Sequence, residues 1–111
     1  YRYMAKKKFT DVFKAIADPT RRHILHLLMI TNALTIQDIY TRFDSSRQAV
    51  TKHIRILSDA GLINIVLQGR ERICYLQGAR LNEVYEWVKF YERFWDEKFI
   101  SLENYLNKDQ A

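Results

Sequence analysis

The stretch Ser45–Gly61, reading Ser-Ser-Arg-Gln-Ala-Val-Thr-Lys-His-Ile-Arg-Ile-Leu-Ser-Asp-Ala-Gly, constrains this chain more than any other. Ser45 and Gln48 stand at capping-box spacing, so a helix starts there. Gly61 suits its end, because glycine enters the left-handed region without a Cβ penalty. Between them Val50, Ile54 and Leu57 recur at i, i+4 and i+7 and share one face. Gln48, Lys52 and Arg55 fall on the opposite face, with Thr51 at its flank. Such a helix anchors through one side and presents hydrogen-bonding and cationic groups on the other. That suits an element laid in a groove of DNA. It equally suits an ordinary amphipathic surface helix, so the flanking chain has to decide.

The flanks read as follows. Phe9, Val12, Phe13 and Ile16 have helical spacing and predict a short first helix ending near Asp18-Pro19. Asp18 is placed to cap a second helix over 19–30, with Pro19 in its first turn and Ile24, Leu25, Leu27 and Leu28 on its core face. Arg21 and Arg22 in that first turn are expected to be solvated. Thr35 and Asp38 again stand at capping distance and open a third helix over 36–42, with Ile36, Ile39 and Tyr40 facing inward. A turn over 43–45 leads into the opening helix. Two short helices joined by a tight turn, the second polar outward, make a helix-turn-helix.

After Gly61 the period changes to two. Ile63, Ile65 and Leu67 alternate with Asn64 and Val66, Gln68-Gly69-Arg70-Glu71 signals a turn, and 72–76 resumes an extended run. The result is a β-hairpin, a wing, with Arg70 at its tip and Arg72 beside it, suited to a phosphate backbone or a minor groove. The alternative is a tip that is basic only for solubility.

From Leu81 to Leu106 no Gly or Pro interrupts a long helical pattern. Leu81, Val84, Val88, Tyr91 and Trp95 form a seam continued by Phe99, Leu102 and Leu106, and Trp87, Phe90 and Phe94 add a second apolar stripe. A helix apolar on so much of its circumference implies two partners, its own body and a second copy of the chain. Its polar face is acidic, which disfavours a membrane surface. The fold class is therefore mostly α with a small β-hairpin (α+β): one winged helix-turn-helix domain over 9–111 with N- and C-terminal dimerisation helices, the latter at 81–106. Residues 1–8 read as an N-terminal tail or an expression remnant, with Met4 a natural start.

Charge sharpens this division. Residues 1–80 carry 14 Lys/Arg against 6 Asp/Glu, whereas 81–111 carry 4 against 7. A basic body suits a polyanion and an acidic tail suits a different task. Cys74 is the one cysteine, so a disulfide framework and a cysteine-rich zinc site are excluded. It reads as a small packed hydrophobe. No run approaches the ~20 apolar residues of a membrane span, and with no secretory signal pattern the expected location is cytoplasmic.

The residues Ala17-Asp18-Pro19-Thr20-Arg21-Arg22, Ser46 through Ile54, Leu57, Ala60-Gly61-Leu62 and Gln68-Gly69-Arg70 carry a resemblance. The chain resembles the ArsR/SmtB (arsenic-repressor) family of winged helix-turn-helix transcriptional repressors over nearly its whole length from Phe9. Its aromatic, acidic segment Tyr91-Glu92-Arg93-Phe94-Trp95 is similar to the non-metal-sensing branch. The resemblance implies a homodimer on a palindromic operator in double-stranded DNA, often the regulator's own promoter, with the first and last helices at the interface. It implies DNA contacts from Ser46, Arg47, Gln48, Thr51 and Lys52 and from the wing residue Arg70, to which Arg55 and Arg72 are added as phosphate contacts. Gln48 suits adenine and Arg47 guanine, bidentately. Phe9, Phe13, Val84, Val88, Tyr91, Trp95 and Leu102 are the expected interface residues. His53, beside the buried face, is expected to be structural or to meet a phosphate.

The chain departs from the family's metal-sensing members. Its third helix, Ile36-Gln37-Asp38-Ile39-Tyr40-Thr41-Arg42, has no cysteine, and its last helix has neither Cys nor His. His23 and His26 stand at i, i+3 without evident partners, so neither a metal nor another cofactor is expected. No nucleophile–base constellation and no Gly-rich phosphate loop is found, so an enzyme is not expected. Two other readings remain: a repressor released by a small apolar inducer of unknown identity bound between the aromatic helices, and a protein-interaction module that has lost DNA.

Overall fold

The computed structural model of the chain describes residues 11–109. They fall into two compact units, the first ending at Leu81 and the second beginning at Asn82.

In the first unit, α1 (Val12–Ala15) is one turn, capped by Asp11, whose carboxylate accepts from the Phe13 N–H at 3.1 Å. It is shorter than the expected helix, and Phe9 lies outside the described residues. Asp18 then caps α2 (Pro19–Thr31), its carboxylate accepting from the Arg21 N–H at 3.1 Å. Pro19 sits in the first turn, where its missing N–H leaves no bond unmade. Asn32 closes α2 at φ 71°, a conformation that asparagine tolerates better than most residues.

Three residues, β1 (Ala33–Thr35), then form a strand that the sequence reading did not anticipate. It is too short to show alternation, and it exists because β3 offers it a ladder. Thr35 caps α3 (Ile36–Tyr40), its hydroxyl accepting from the Asp38 N–H at 3.1 Å. α3 stops two residues short of the expected Arg42.

α4 (Arg47–Asp59) is the helix of the opening stretch. Its cap is Ser46 rather than Ser45: the Ser46 hydroxyl oxygen accepts from the Ala49 N–H at 3.1 Å. Two adjacent serines signal a start at neighbouring registers, and the cap bond needs only the backbone N–H three residues on, not the Gln48 side chain. At the far end the Gly61 N–H donates to Ser58 O at 2.9 Å and the Leu62 N–H to Leu57 O at 3.0 Å. With Gly61 at φ 75°, this is a Schellman stop, and Leu57 and Leu62 are both buried beside it.

β2 (Ile63–Gln68) and β3 (Glu71–Leu76) form the hairpin, turning through Gly69 (φ 64°) and Arg70. β3 is central in a three-stranded antiparallel sheet of order β1-β3-β2, with Leu34 and Ile65 both opposite Cys74. Along β2, Ile63 is buried, Ile65 half-buried and Leu67 exposed, so the hairpin leaves the core as it runs to its tip. A 3-10 turn (Gly78–Leu81) follows, and Arg80 Nη1 donates to Ala60 O at 2.7 Å, tying this end of the unit to the end of α4.

The core comprises Val12, Ile24, Leu28, Ile39, Val50, Leu57, Leu62, Ile63 and Cys74, all fully buried. Each aliphatic member contributes about 1.5–3 kcal/mol of transfer free energy. Val50, Ile54 and Leu57 supply the buried stripe of α4, as the period predicts.

The second unit is α5 (Asn82–Asp109), one helix of 28 residues. Among the described residues no helix is long and apolar enough to cross a membrane.

Candidate nucleic-acid interface

With its apolar stripe buried, α4 turns its other side outward. Arg47, Gln48, Thr51, Lys52 and Arg55 line one shallow depression of about 410 Å³ there. Thr51 is shared with a neighbouring cleft of about 460 Å³, whose walls are the start of α3, Tyr40, and Arg70, Glu71 and Arg72 of the wing. A smaller hollow of about 150 Å³ joins Thr51, Arg55 and Arg72. Seven of the eight sequence-predicted contact residues thus form one continuous surface, with five cations on it. Ser46, the eighth, is exposed at the helix start. Its oxygen is engaged as the cap, which leaves its hydroxyl proton to donate.

Tyr40, expected to face inward, is half-buried and also reaches this surface. Its hydroxyl lies 2.6 Å from Thr51 Oγ1, and the Arg47 guanidinium lies over its ring, 5.3 Å from the centroid. The available signal was the residue type. A half-buried tyrosine needs a partner for its hydroxyl, and a leucine at that position would not.

The side of α4 nearer the core is tied down by a second polar cluster. Arg21, expected to be solvated, donates from Nε to Ala15 O at 2.6 Å, from Nη2 to Lys14 O at 3.2 Å and from Nη1 to His53 Nδ1 at 3.1 Å. A guanidinium can only donate, so Nδ1 accepts this bond whenever the imidazole is neutral. Arg22 likewise donates to Ile16 O at 2.8 Å. His53 Nδ1 is 3.9 Å from Asp18 Oδ2. Burial works to raise the Asp18 carboxyl, but the Arg21 backbone N–H, the nearby His53, the Thr20 N–H and the Arg21 charge outweigh it and hold it below the usual value. His53 thus links α4 to the entry to α2 through Nδ1.

A helix-turn-helix domain model matches residues 16–66, spanning α2 through most of β2. The uncharacterized HTH-type transcriptional regulator YuzN of Bacillus subtilis is 35% identical over 85 residues, which is 70% of this chain and 92% of that protein. The transcriptional repressor SdpR of Bacillus subtilis is 36% identical over 78 residues, 70% of this chain and 86% of that one. The crystal structure of an ArsR family transcriptional regulator superposes with TM-score 0.70 and 30% identity, covering 86% of this chain and 94% of that chain. The chain belongs to the ArsR family. It is a DNA-binding winged helix-turn-helix transcriptional regulator, with α3 and α4 as the helix-turn-helix, α4 as its recognition helix and β2–β3 as its wing.

The remaining sequence-predicted sites can now be placed in this ArsR-family chain. Phe13 on α1 is 36% exposed. On α5, Val84 is half-buried and Val88, Tyr91, Trp95 and Leu102 are exposed. Rings run along that helix in contact, with Trp87–Tyr91 centroids 4.7 Å apart and Trp95–Phe99 6.0 Å apart. His23 and His26 are exposed, and His23 stands edge-on to Phe43 at 5.1 Å. Among the described residues no three His, Cys, Asp or Glu side chains gather where they could hold a metal ion. Cys74 is buried and unbridged, and burial pushes its thiol up to about 11. A thiol at that value carries almost no thiolate at neutral pH, which fits a packing role.

Proposed function

We propose that this chain is a homodimeric, sequence-specific repressor of the non-metal-sensing kind, which occupies a two-fold-symmetric duplex and blocks transcription from it. One observation carries the reading: the outward face of α4 and the wing join in one surface that gathers Arg47 and Gln48 with Lys52, Arg55, Arg70 and Arg72. Gln48 is suited to an adenine edge and Arg47 to a guanine edge in the major groove. Lys52, Arg55, Arg70 and Arg72 are suited to phosphates that fix the register, and Ser46 can donate to another. α5 supports the dimeric part of the reading. Phe90, Trp95 and Phe99 are 67%, 53% and 62% exposed along α5, the kind of apolar surface that a second copy of the chain would cover. SdpR carries the name of a transcriptional repressor, which supports repression over activation. A role on chromosomal DNA puts the chain in the cytoplasm.

The test is binding to a labelled duplex from the chain's own promoter and to a random duplex of equal length. The expected result is a preference of about 10³-fold or more for one site, falling steeply with salt. Gln48→Ala is expected to flatten base preference, while Lys52→Ala weakens all duplexes alike and reduces the salt slope by about one. Binding no tighter than to random DNA at physiological salt refutes the reading, as does an equal loss of selectivity in both variants. Sedimentation at micromolar concentration should give twice the mass of the chain.

A further inference from the structure

We propose that Tyr40 is a positioning residue that sets the base preference of the recognition helix, acting through Thr51 and Arg47. The proposal rests on the reading of α4 as the element that enters the major groove, and it adds a residue from the preceding helix that touches no base itself.

Two independent contacts converge on this one side chain. Its hydroxyl meets Thr51 Oγ1 at 2.6 Å, and its ring carries the Arg47 guanidinium at 5.3 Å from the centroid. Both partners lie in the outward depression of α4, and Tyr40 and Thr51 also line the cleft that α3 shares with the wing. Tyr40 thus stands where the helix-turn-helix meets the hairpin.

Each contact has a chemical consequence for reading. An arginine discriminates guanine only when its planar fork is held in line with the base edge, and a free arginine side chain has many rotamers. Cation–π attraction to the ring restricts the rotamers of the guanidinium while leaving N–H groups free to donate. The threonine hydroxyl is ambiguous by itself, with one donor and two acceptor positions. A phenol is the more acidic partner and donates more readily than an aliphatic hydroxyl. Tyr40 donating to Thr51 leaves the Thr51 proton free for an acceptor on the DNA: guanine O6 or N7, adenine N7, thymine O4 or a phosphate oxygen. Without the phenol, Thr51 is free to turn and bond the carbonyl one helical turn back. Tyr40 therefore converts an ambiguous hydroxyl into a donor and a mobile guanidinium into an oriented one.

The experiment uses the full chain and a pool of random duplexes. Selection identifies the preferred duplex, and competition against all of its single-base variants gives a preference profile. Tyr40→Phe keeps the ring and removes the hydroxyl. It is expected to lose about tenfold of discrimination at the base pair that Thr51→Val also affects, with Arg47-dependent positions unchanged. Tyr40→Leu is expected to lose discrimination at both. Affinity for random duplex should fall less than twofold, and the melting temperature of Tyr40→Phe should fall by only about 2–6 °C, as loss of one part-buried hydrogen bond requires. In a Thr51→Val background Tyr40→Phe should have no further effect. If Tyr40→Leu fails to fold, Tyr40→Phe and its double variant decide.

A Tyr40→Phe profile within twofold of wild type overturns the proposal. So does a uniform loss over all duplexes, or an unchanged effect in the Thr51→Val background. If Arg47→Ala and Thr51→Val themselves leave the profile unaltered, or wild type enriches no sequence, the reading of α4 falls and takes this proposal with it. If those two variants alter the profile and the Tyr40 variants do not, only the role of Tyr40 falls.

Discussion

Arg21→Ala should cost this chain more stability than truncating Arg47, Gln48, Lys52 or Arg55 on the outward face of α4. The guanidinium joins three elements: the end of α1 through Lys14 O and Ala15 O, the start of α2 where Arg21 itself sits, and α4 through His53 Nδ1. The bonds to Ala15 and His53 are partly buried and the bond to Lys14 is exposed. Hydrogen bonds to a charged group are worth about 1.5–3 kcal/mol when buried, and much less in water. Two part-buried bonds and one exposed bond give about 2–3 kcal/mol. The short bond to Ala15 dominates, since its loss deprives a carbonyl at the end of α1 of its side-chain partner. For a domain of ~100 residues, each kcal/mol lowers the melting temperature by about 4 °C, so the expected fall is roughly 8–12 °C.

The assay is urea and thermal unfolding at one fixed protein concentration, because association makes apparent stability concentration-dependent. Arg22→Ala is the control. It removes the same charge one residue along, and its bond to Ile16 O at 2.8 Å is exposed, so it should cost less than about 1 kcal/mol. Arg21→Lys keeps the charge but loses the fork, and it should recover less than half of the loss. The reasoning is refuted if Arg21→Ala costs under about 1 kcal/mol, or no more than Arg22→Ala.

Two further outcomes follow from the same geometry. The Asp18 carboxyl is held below its ordinary 3.8 in the folded chain, so its contribution is complete above the unfolded value and is lost as pH falls through the lower folded one; Asp18→Asn, which still caps, should remove that part of the acid limb of a stability-against-pH curve, and an unchanged limb counts against it. Gly61→Ala should destabilise by about 1–2 kcal/mol in urea unfolding, because Gly61 stops α4 at φ 75°, where a Cβ is penalised; a neutral effect would mean that the Schellman stop is not what ends the helix.

The readability of these features in the sequence followed their range. Asp18 and Thr35 were legible as caps because each bonds a backbone N–H three residues on, a local event. The buried stripe of α4 was legible because a 3.6-residue period records a face whatever it packs against. The same locality explains the one-residue error at Ser45, since adjacent serines send the same signal. β1 was illegible for the opposite reason. Ala33–Thr35 becomes a strand through pairing with residues about forty positions later. The solvated reading of Arg21 fails, and the partner of the inward-facing Tyr40 is illegible, because His53 and Thr51 are 32 and 11 residues away. At the candidate site, the outward residues could be listed from the period of one helix, but what aims them comes from its neighbours.

That distinction bears on how such a recognition helix is controlled. α4 is held by its Ser46 cap and its Gly61 stop, by Arg21 through His53, by Tyr40 through Thr51, and by Arg80 at Ala60 O. The last three ties come from α2, α3 and the segment after the wing. Tilting the helix means breaking several of them at once, and side-chain reading tolerates only about 0.5 Å of misplacement. A signal acting on α4 alone would therefore disorder the reading surface rather than retune it. Under the dimeric reading, a signal that leaves the first unit intact must act on the spacing between two copies of that unit. Such a signal weakens the preferred duplex while leaving binding to a single half-site unchanged. A signal that breaks the Arg21 or Tyr40 tie weakens both, so half-site affinity separates the two routes.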